Sequence, residues 1–385
     1  MEDFLLLDNE FTAEEKLIRD AVRQFVDKEV IPVMGDACEE AKFPLHFIQK
    51  FADLGLFGLT LPSIVGGHGK SAIAYGLVCQ ELERGDSSLR SFLSVQNSLC
   101  LYPIHQFGSE AQRQKYLPLM IQGKLIACFG LTERDAGSDP GSLKTEAKKV
   151  SGGWVLNGSK QWITNAILAG IAIIWAKTPE GIRAFIVEKE TEGFSTKVIT
   201  HKMSLRTSMT AELSFKDCFI PDENLLPGSS IGLSAALKCL TEARYGIAWG
   251  AMGAAMHCYE TALDYCKNRK QFHKALASFQ LVQKDLVTMF LEIEKTRAFN
   301  LRIGQLKDEG KSNFVMVSLA KLNACKEALK IARSARNLLG ANGITLAYPV
   351  IRHMANLEAV STYEGTDNIH HLIAGKYLTG LDAIN

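Results

Sequence analysis

Net charge is almost missing from this chain of 385 residues: 43 lysines and arginines meet 42 aspartates and glutamates, for a formal +1. Such a balance provides no broad field for gathering nucleic acid and leaves room only for a local basic pocket around one anionic ligand. No run approaches the roughly 20 uncharged apolar residues of a membrane-spanning helix. The opening Met1-Glu2-Asp3-Phe4 has acids where a secretory or transit leader carries Arg or Lys, so an intracellular protein is expected. Cysteines number nine, spread from Cys38 to Cys325 with no Cys-x-x-Cys pair and no histidine at zinc-site spacing. Neither a disulfide framework nor a structural metal follows from that pattern; free thiols in a reducing compartment do.

Several nucleotide and nucleophile signatures are absent too. Gly-x-Gly-x-x-Gly does not occur, which argues against a Rossmann nucleotide domain. Gly66-Gly67-His68-Gly69-Lys70-Ser71 ends like a phosphate-binding loop, but Ile64 stands where that loop needs its leading glycine. Gly228-Ser229-Ser230-Ile231-Gly232 has nucleophile-elbow spacing, yet it follows Pro227 rather than a buried strand. His370-His371 are adjacent, so on a helix they project about 100° apart and do not converge on one ion.

What is present is a chain 47% hydrophobic and 22% charged, enough for two or three packed units. Thr12 and Glu15 form a capping box, after which Ile18, Val22, Phe25 and Val26 recur at helical spacing. Further helical patterns run over residues 44–56, 71–84, 92–107 and 109–122, with loops at 61–69 and near Gly85. From Leu125 short β-branched and aromatic runs replace them, at 126–132, 154–157, 171–176, 183–187 and 211–215, which is the pattern of a sheet or barrel. After Pro221, Pro227 and Gly228 three patterns of about thirty residues follow, at 233–269, 278–309 and 314–339. The expected fold is α+β, mainly α: a helical domain at 1–124, a β-barrel domain at 125–228 and a four-helix bundle at 229–385.

Tyr363-Glu364-Gly365-Thr366-Asp367-Asn368 joins two of the helical runs. An acid at a helix junction is commonly a cap or a solvated charge. Here Gly365 permits close approach to a ligand, Thr366 adds a hydroxyl, and Ala359, Val360 and Tyr363 surround the acid with apolar surface that favours a base. Phe129-Gly130-Leu131-Thr132-Glu133 leads into Ala136-Gly137-Ser138-Asp139-Pro140, and Lys160-Gln161-Trp162-Ile163-Thr164-Asn165 sets an indole beside polar groups. Either segment alone is also an ordinary strand and turn. Arg269-Lys270-Gln271-Phe272 closes a helix, where cations meet the helix dipole without any ligand.

In order along the chain, FGLTE-x-x-x-GSDP, KQWITN, ARYGIAWG, RKQF, LLGANGI and TYEGTDNIH resemble the acyl-CoA dehydrogenase family over essentially the whole sequence. The resemblance implies that Glu364 is the general base taking an α-proton from an acyl-CoA thioester while hydride leaves the β-carbon for FAD. It implies flavin contacts at Phe129, Leu131, Thr132, Gly137, Ser138, Trp162, Ile163 and Thr164, with Ser138 also near CoA. Arg269, Phe272 and Gln280 resemble residues that reach a neighbouring subunit's FAD, with Asn337, Leu338, Gly340 and Ala341 in the adjoining turn and Thr366 and Asn368 after the base. Arg244 is expected to assist CoA binding, with Tyr245 and Gly365 beside the substrate. A shared cofactor implies a homotetramer, a dimer of dimers, and the family's usual electron acceptor is an electron-transferring flavoprotein. The location implied is the cytoplasm of a bacterium, or the mitochondrial matrix for a processed eukaryotic chain.

Within the family, Ser88-Leu89-Arg90-Ser91, Ser94-Val95-Gln96 and Thr362-Tyr363-Glu364-Gly365-Thr366 are most similar to the glutaryl-CoA branch. Arg90 then meets the terminal carboxylate of glutaryl-CoA, with Ser91, Val95, Glu83 and Tyr363 around it, since a buried arginine is costly unless an anion meets it. Read without the family, Arg90 is a helix-surface residue paired with Glu83 or Asp86. Short- or branched-chain dehydrogenation, an oxidase of the same fold, or a catalytically silent acyl-CoA-binding protein are the alternatives. The ending Asp382-Ala383-Ile384-Asn385 is not the peroxisomal Ser-Lys-Leu, which disfavours the oxidase.

Overall fold

Thr12 begins the first helix as its sequence requires: its hydroxyl accepts from Glu15 N at 3.2 Å while Glu15 Oε2 accepts from Thr12 N at 2.8 Å. The computed structural model describes residues 2–383, so Met1 of the opening and Ile384-Asn385 of the ending lie outside the described residues. The N-terminal helices are α1 (Ala13–Phe25), α2 (Met34–Glu40), α3 (Phe47–Asp53), α4 (Ala72–Gly85), α5 (Ser87–Ser94), α6 (Tyr102–Phe107) and α7 (Glu110–Ile121). The loop expected near Gly85 is a single residue. Asp86, in extended backbone, ends α4 and caps α5 by accepting from Ser88 N at 2.8 Å. The helix expected from Phe92 therefore starts earlier and continues through a π-helical stretch at Val95–Leu101 into α6.

Every residue of α4 and α5 is buried, charged ones included. Their charges meet opposite charges: Glu81 accepts from Arg23 and Arg84, and Glu83 from Arg90.

The middle of the chain forms β1 (Ala127–Gly130), β2 (Glu146–Val150), β3 (Gly153–Thr164), β4 (Ile171–Thr178), β5 (Gly181–Glu188), β6 (Phe194–Val198) and β7 (Thr210–Pro221). They make one curled sheet in the order β1-β4-β2-β3-β7-β6, with β5 beside β4. Ile174, Phe185, Leu213 and Phe215 fill its concave core with Trp154 and Leu156. Strands β2 and β6 read as polar and lack alternation, because they lie mostly solvent-exposed at positions 146–150 and 194–198. Strand β3 outruns its expected range because register shifts at Leu156/Gly158 and Lys160/Ile163 carry it through polar residues.

The last third holds α8 (Leu233–Asn268), a hairpin of β8 (Lys270–Gln271) and β9 (Lys274–Ala275), then α9 (Gln280–Asp308), α10 (Phe314–Leu338), α11 (Val350–Thr362) and α12 (Asp367–Thr379). Helix α8 crosses α4 at glycines: a Cβ on Gly253 would overlap Gln80 O, and one on Gly76 would overlap the Trp249 ring. This close approach brings Arg244 and Gly250 of α8 toward the side chains carried by α4 and α5.

Candidate active site

The turn between α11 and α12 is the centre of the site. Tyr363 is extended, Glu364 has φ +58° and Gly365 φ +103°, and Thr366 caps α12. A non-glycine residue in the left-handed region costs about 1–2 kcal/mol, so neighbours must hold it. They do: Arg244 Nε donates to Glu364 O at 2.6 Å, and Lys321 Nζ donates to Ser361 O and Gly365 O, each at 2.8 Å. Gly365 is needed because a Cβ there would press on the His370 ring and Arg244 Nη2. Glu364 Oε2 is buried with no hydrogen-bond partner among the described residues. Burial pushes the Glu364 carboxyl up to about 7 even though Arg244, Arg90 and Lys321 pull it down.

Beside that carboxylate lies a charged cluster in the interior. Arg90 Nε donates to Glu83 Oε2 at 2.6 Å, its Nη2 donates to the Tyr363 hydroxyl, and its guanidinium carbon lies 5.6 Å from the Tyr363 ring centroid. The pairing with Glu83 expected of a surface arginine is thus real but fully inside, with Arg90 1% exposed. Burial pushes the Glu83 carboxyl above the usual range against the pull of Arg90, and its Oε1 has no partner among the described residues. Space for the pair comes from Gly250, where a Cβ would overlap Glu83 Oε2 and come within 3.0 Å of Arg90 Nε. Ser91 and Val95 are buried on the same helical run.

A second surface is built by β1 and β3. Gln161 N donates to Thr132 O at 2.9 Å, joining the two segments. Lys160 Nζ reaches Leu131 O at 3.1 Å and Glu133 Oε1 at 2.8 Å, and Glu133 also accepts from Lys144 N and Thr145 N. These bonds hold the Glu133 carboxyl down to about 2 in spite of burial. Trp162 sits on the bulge with φ +62° and is 56% exposed, while Phe129 and Leu131 are buried and Thr132 and Thr164 half-buried. Gly137 and Ser138 are exposed in the turn that follows. An accessible indole flanked by hydroxyls and backbone suits a planar, polar-edged ring, so this surface fits a flavin.

The other expected cofactor residues group elsewhere. Arg269 caps the end of α8, Phe272 lies in the turn of the β8–β9 hairpin, Gln280 starts α9, Asn337 and Leu338 end α10, and Gly340 and Ala341 begin the 3-10 turn that follows. Arg269 lines a cavity of about 470 Å³ with Tyr265, Asn342 and Tyr348. Among the described residues no hydrogen bond links this group to the β1–β3 surface. Two expected contacts are not brought to the site by their side chains. Tyr245 is buried against α4 and its hydroxyl donates to Ala72 O at 2.9 Å; the Ile163 side chain turns into the sheet core because of the bulge before it.

Asn368 is exposed on α12. The adjacent histidines diverge, His370 buried and His371 exposed. No group of three or more His, Cys, Asp or Glu among the described residues is arranged to hold a metal. Ser71 of the glycine-rich loop caps α4, accepting from Ala74 N at 3.0 Å, and Ser230 lies in a 3-10 turn at Pro227–Ile231. No helix of the described residues is long and apolar enough to cross a membrane. Lys321 was not legible as a site residue; the signal was a lysine on the apolar face of α10 with Val317, Ala320, Ala324 and Cys325.

The chain belongs to the acyl-CoA dehydrogenase family: the N-terminal domain model matches residues 12–124, the middle domain 128–218 and the C-terminal domain 231–379. The family defines it as a flavoprotein oxidoreductase acting on acyl-CoA. Among solved structures it is similar to glutaryl-CoA dehydrogenase from Mycobacterium smegmatis, 47% identical with TM-score 0.97 over 100% of this chain and 99% of that one. A complex of a glutaryl-CoA dehydrogenase from that organism with FADH2 matches at 44% identity and TM-score 0.98, over 100% and 99%. A chain in the electron-transferring flavoprotein structure of Acidaminococcus fermentans matches at 34% and TM-score 0.93, over 96% and 98%. Among sequences, the mitochondrial short-chain specific acyl-CoA dehydrogenase of Sus scrofa is 35% identical over 94% of this chain and 89% of its own.

Proposed function

We propose that this chain dehydrogenates glutaryl-CoA at the α,β position and then decarboxylates the product to crotonyl-CoA and CO2. The observation that carries the substrate is Arg90, held in the interior between Glu83 and Tyr363 next to the base. A fatty acyl chain gains nothing from a buried cation at its far end, whereas a terminal carboxylate forms a charge-assisted, bidentate pair with it. The neighbouring glutaryl-CoA dehydrogenase structures support the same choice. The short-chain relatives favour a second reading, oxidation of a butyryl-sized substrate without CO2 release.

In this reading Glu364 accepts the α-proton. A carboxyl near 7 is about half ionised at neutral pH and is basic enough to work on a carbon acid. The Glu364 N–H, which has no acceptor among the described residues, donates to the thioester oxygen as enolate charge develops there. FAD, when bound, supplies the acceptor for the β-hydride. Phe129, Leu131, Thr132, Gly137, Ser138, Trp162 and Thr164 would hold its ring end, with Ile163 contributing backbone; Thr366 and Asn368 follow the base. Arg269, Phe272, Gln280, Asn337, Leu338, Gly340 and Ala341 would face a second subunit's FAD in a homotetramer. Arg90 and Tyr363 then orient the carboxylate for loss of CO2, and the electron pair left on the γ-carbon is quenched by a proton, for which protonated Glu364 is the buried donor. The domain divisions at 124/125 and 228/229 and an electron-transferring flavoprotein as oxidant belong to the same proposal.

The test is Arg90→Ala assayed on two substrates. Turnover of glutaryl-CoA is expected to fall at least about 100-fold, the loss of a charge-assisted contact of about 3 kcal/mol, with butyryl-CoA affected far less. Equal losses on both substrates would remove the carboxylate role, and accumulation of glutaconyl-CoA without headspace CO2 would remove the decarboxylation.

A further inference from the structure

We infer that Lys321 is a positioning residue for the base: its ammonium clamps the two ends of the 361–365 turn and so sets where the Glu364 carboxylate and N–H point. The inference rests on reading Glu364 as the base.

Lys321 is fully buried on the apolar face of α10 and makes no ion pair among the described residues. An ammonium in that position is costly, and a methionine would fill the slot without the penalty, so core packing alone does not account for it. What Lys321 does is bridge. Ser361 O belongs to the last turn of α11, where carbonyls have no helical partner, and Gly365 O lies past the base. One head group therefore fixes the span of the turn while Arg244, from a different helix, takes the carbonyl between them, that of Glu364 itself. Three carbonyls around the base are held, while its buried Oε2 accepts no hydrogen bond among the described residues. A single ammonium reaching both ends is how a left-handed glutamate is kept from relaxing.

The charged and titratable groups facing this clamp come from several helices. On α10 itself there is Cys325; α8 contributes Arg244 and Cys239; α5 contributes Arg90; α12 contributes Asp367 and His370, the latter kept neutral with its ring pushed down to about 3 by burial, Lys321 and Arg244. Lys321 is one of three cations that favour ionised Glu364.

The experiment uses full-length, FAD-loaded Lys321→Met, with thermal melting and flavin absorbance to check folding. On glutaryl-CoA and butyryl-CoA alike, kcat is expected to fall about 30-fold or more with KM within about threefold, since the lost contacts orient the base rather than bind substrate. The ascending limb of kcat/KM should move up by about half a pH unit or more, because removing a cation disfavours the carboxylate. Exchange of substrate α-protons into deuterated water should slow in parallel, and Lys321→Arg should recover part of it. A folded, flavin-loaded Lys321→Met with wild-type kcat and an unmoved limb overturns the proposal. If that variant does not fold, Lys321→Gln, which keeps an uncharged amide NH2 donor, must still show the shifted limb; collapse of both would assign the lysine to folding and overturn the proposal as well. Glu364→Gln separates the two readings: full activity there refutes the base itself, whereas its inactivity beside an unaffected Lys321→Met refutes only the clamp.

Discussion

At Glu364 a left-handed backbone coincides with a buried carboxylate oxygen that no donor satisfies. Glu81 and Glu133 are treated differently, both held below the usual range by hydrogen bonds and nearby cations, and Glu83, though raised by burial, is paired with Arg90. An acid raised by burial and left without a donor is prepared to take a proton. Because the protonated form cannot act as a base, kcat/KM of the free enzyme is expected to fall as pH drops through about 7, and a limb near the ordinary carboxylate range would contradict this environment. Glu364→Gln should lose at least about 100-fold in kcat while keeping the flavin spectrum. The sequence made Glu364 visible through its motif, but the acid alone reads as a cap, since nothing local says that it is buried.

Helices decide the next level. The α4–α5 junction is one residue, Asp86, whose carboxylate caps α5 and also accepts from Arg352 and, at 2.9 Å, from Asn356 of α11. Asn356 Oδ1 in turn accepts from Leu205 N at 2.8 Å, so α5, α11 and the segment before β7 meet at this point. The arrangement orients α5, which carries Arg90, against α11, which ends at Tyr363. Equally, α8 must offer a glycine where Glu83 and Arg90 pair. Gly250→Ala is therefore expected to displace that pair and depress turnover of glutaryl-CoA more than that of butyryl-CoA; unchanged selectivity between the two would show that the pair does not set it. Helix and strand content was readable where periodicity is strong, as in α8 and α10, and failed at β2 and β6, whose polar faces give no alternation to detect.

For the whole molecule, some of the exposed apolar residues lie on parts the proposed function needs covered. Phe272 is 84% exposed at the tip of the β8–β9 hairpin, and Leu281, Val287 and Leu291 are exposed along α9. Both Phe272 and His273 adopt positive φ, so a tight two-residue turn is held without glycine at the place where a second subunit is proposed to sit. Light scattering of the flavin-loaded protein is expected to give the mass of four chains of 42.4 kDa; a stable flavin-loaded monomer would exclude a shared site.

Helical, sheet and helical thirds, the ordered motifs and the acid at residue 364 were determined by the amino-acid sequence, because periodicity and turn residues act over a few positions. Only the tertiary structure decided that Arg90 is inside, that Lys321 bonds the carbonyls on either side of Glu364 and that the Tyr245 hydroxyl turns to Ala72 O. Those outcomes depend on contacts between residues 273 apart for Arg90 and Tyr363, 120 for Arg244 and Glu364, and 44 for Lys321 and Gly365. Burial and the charge states it imposes arise when distant helices close on one another, and no local pattern carries that information.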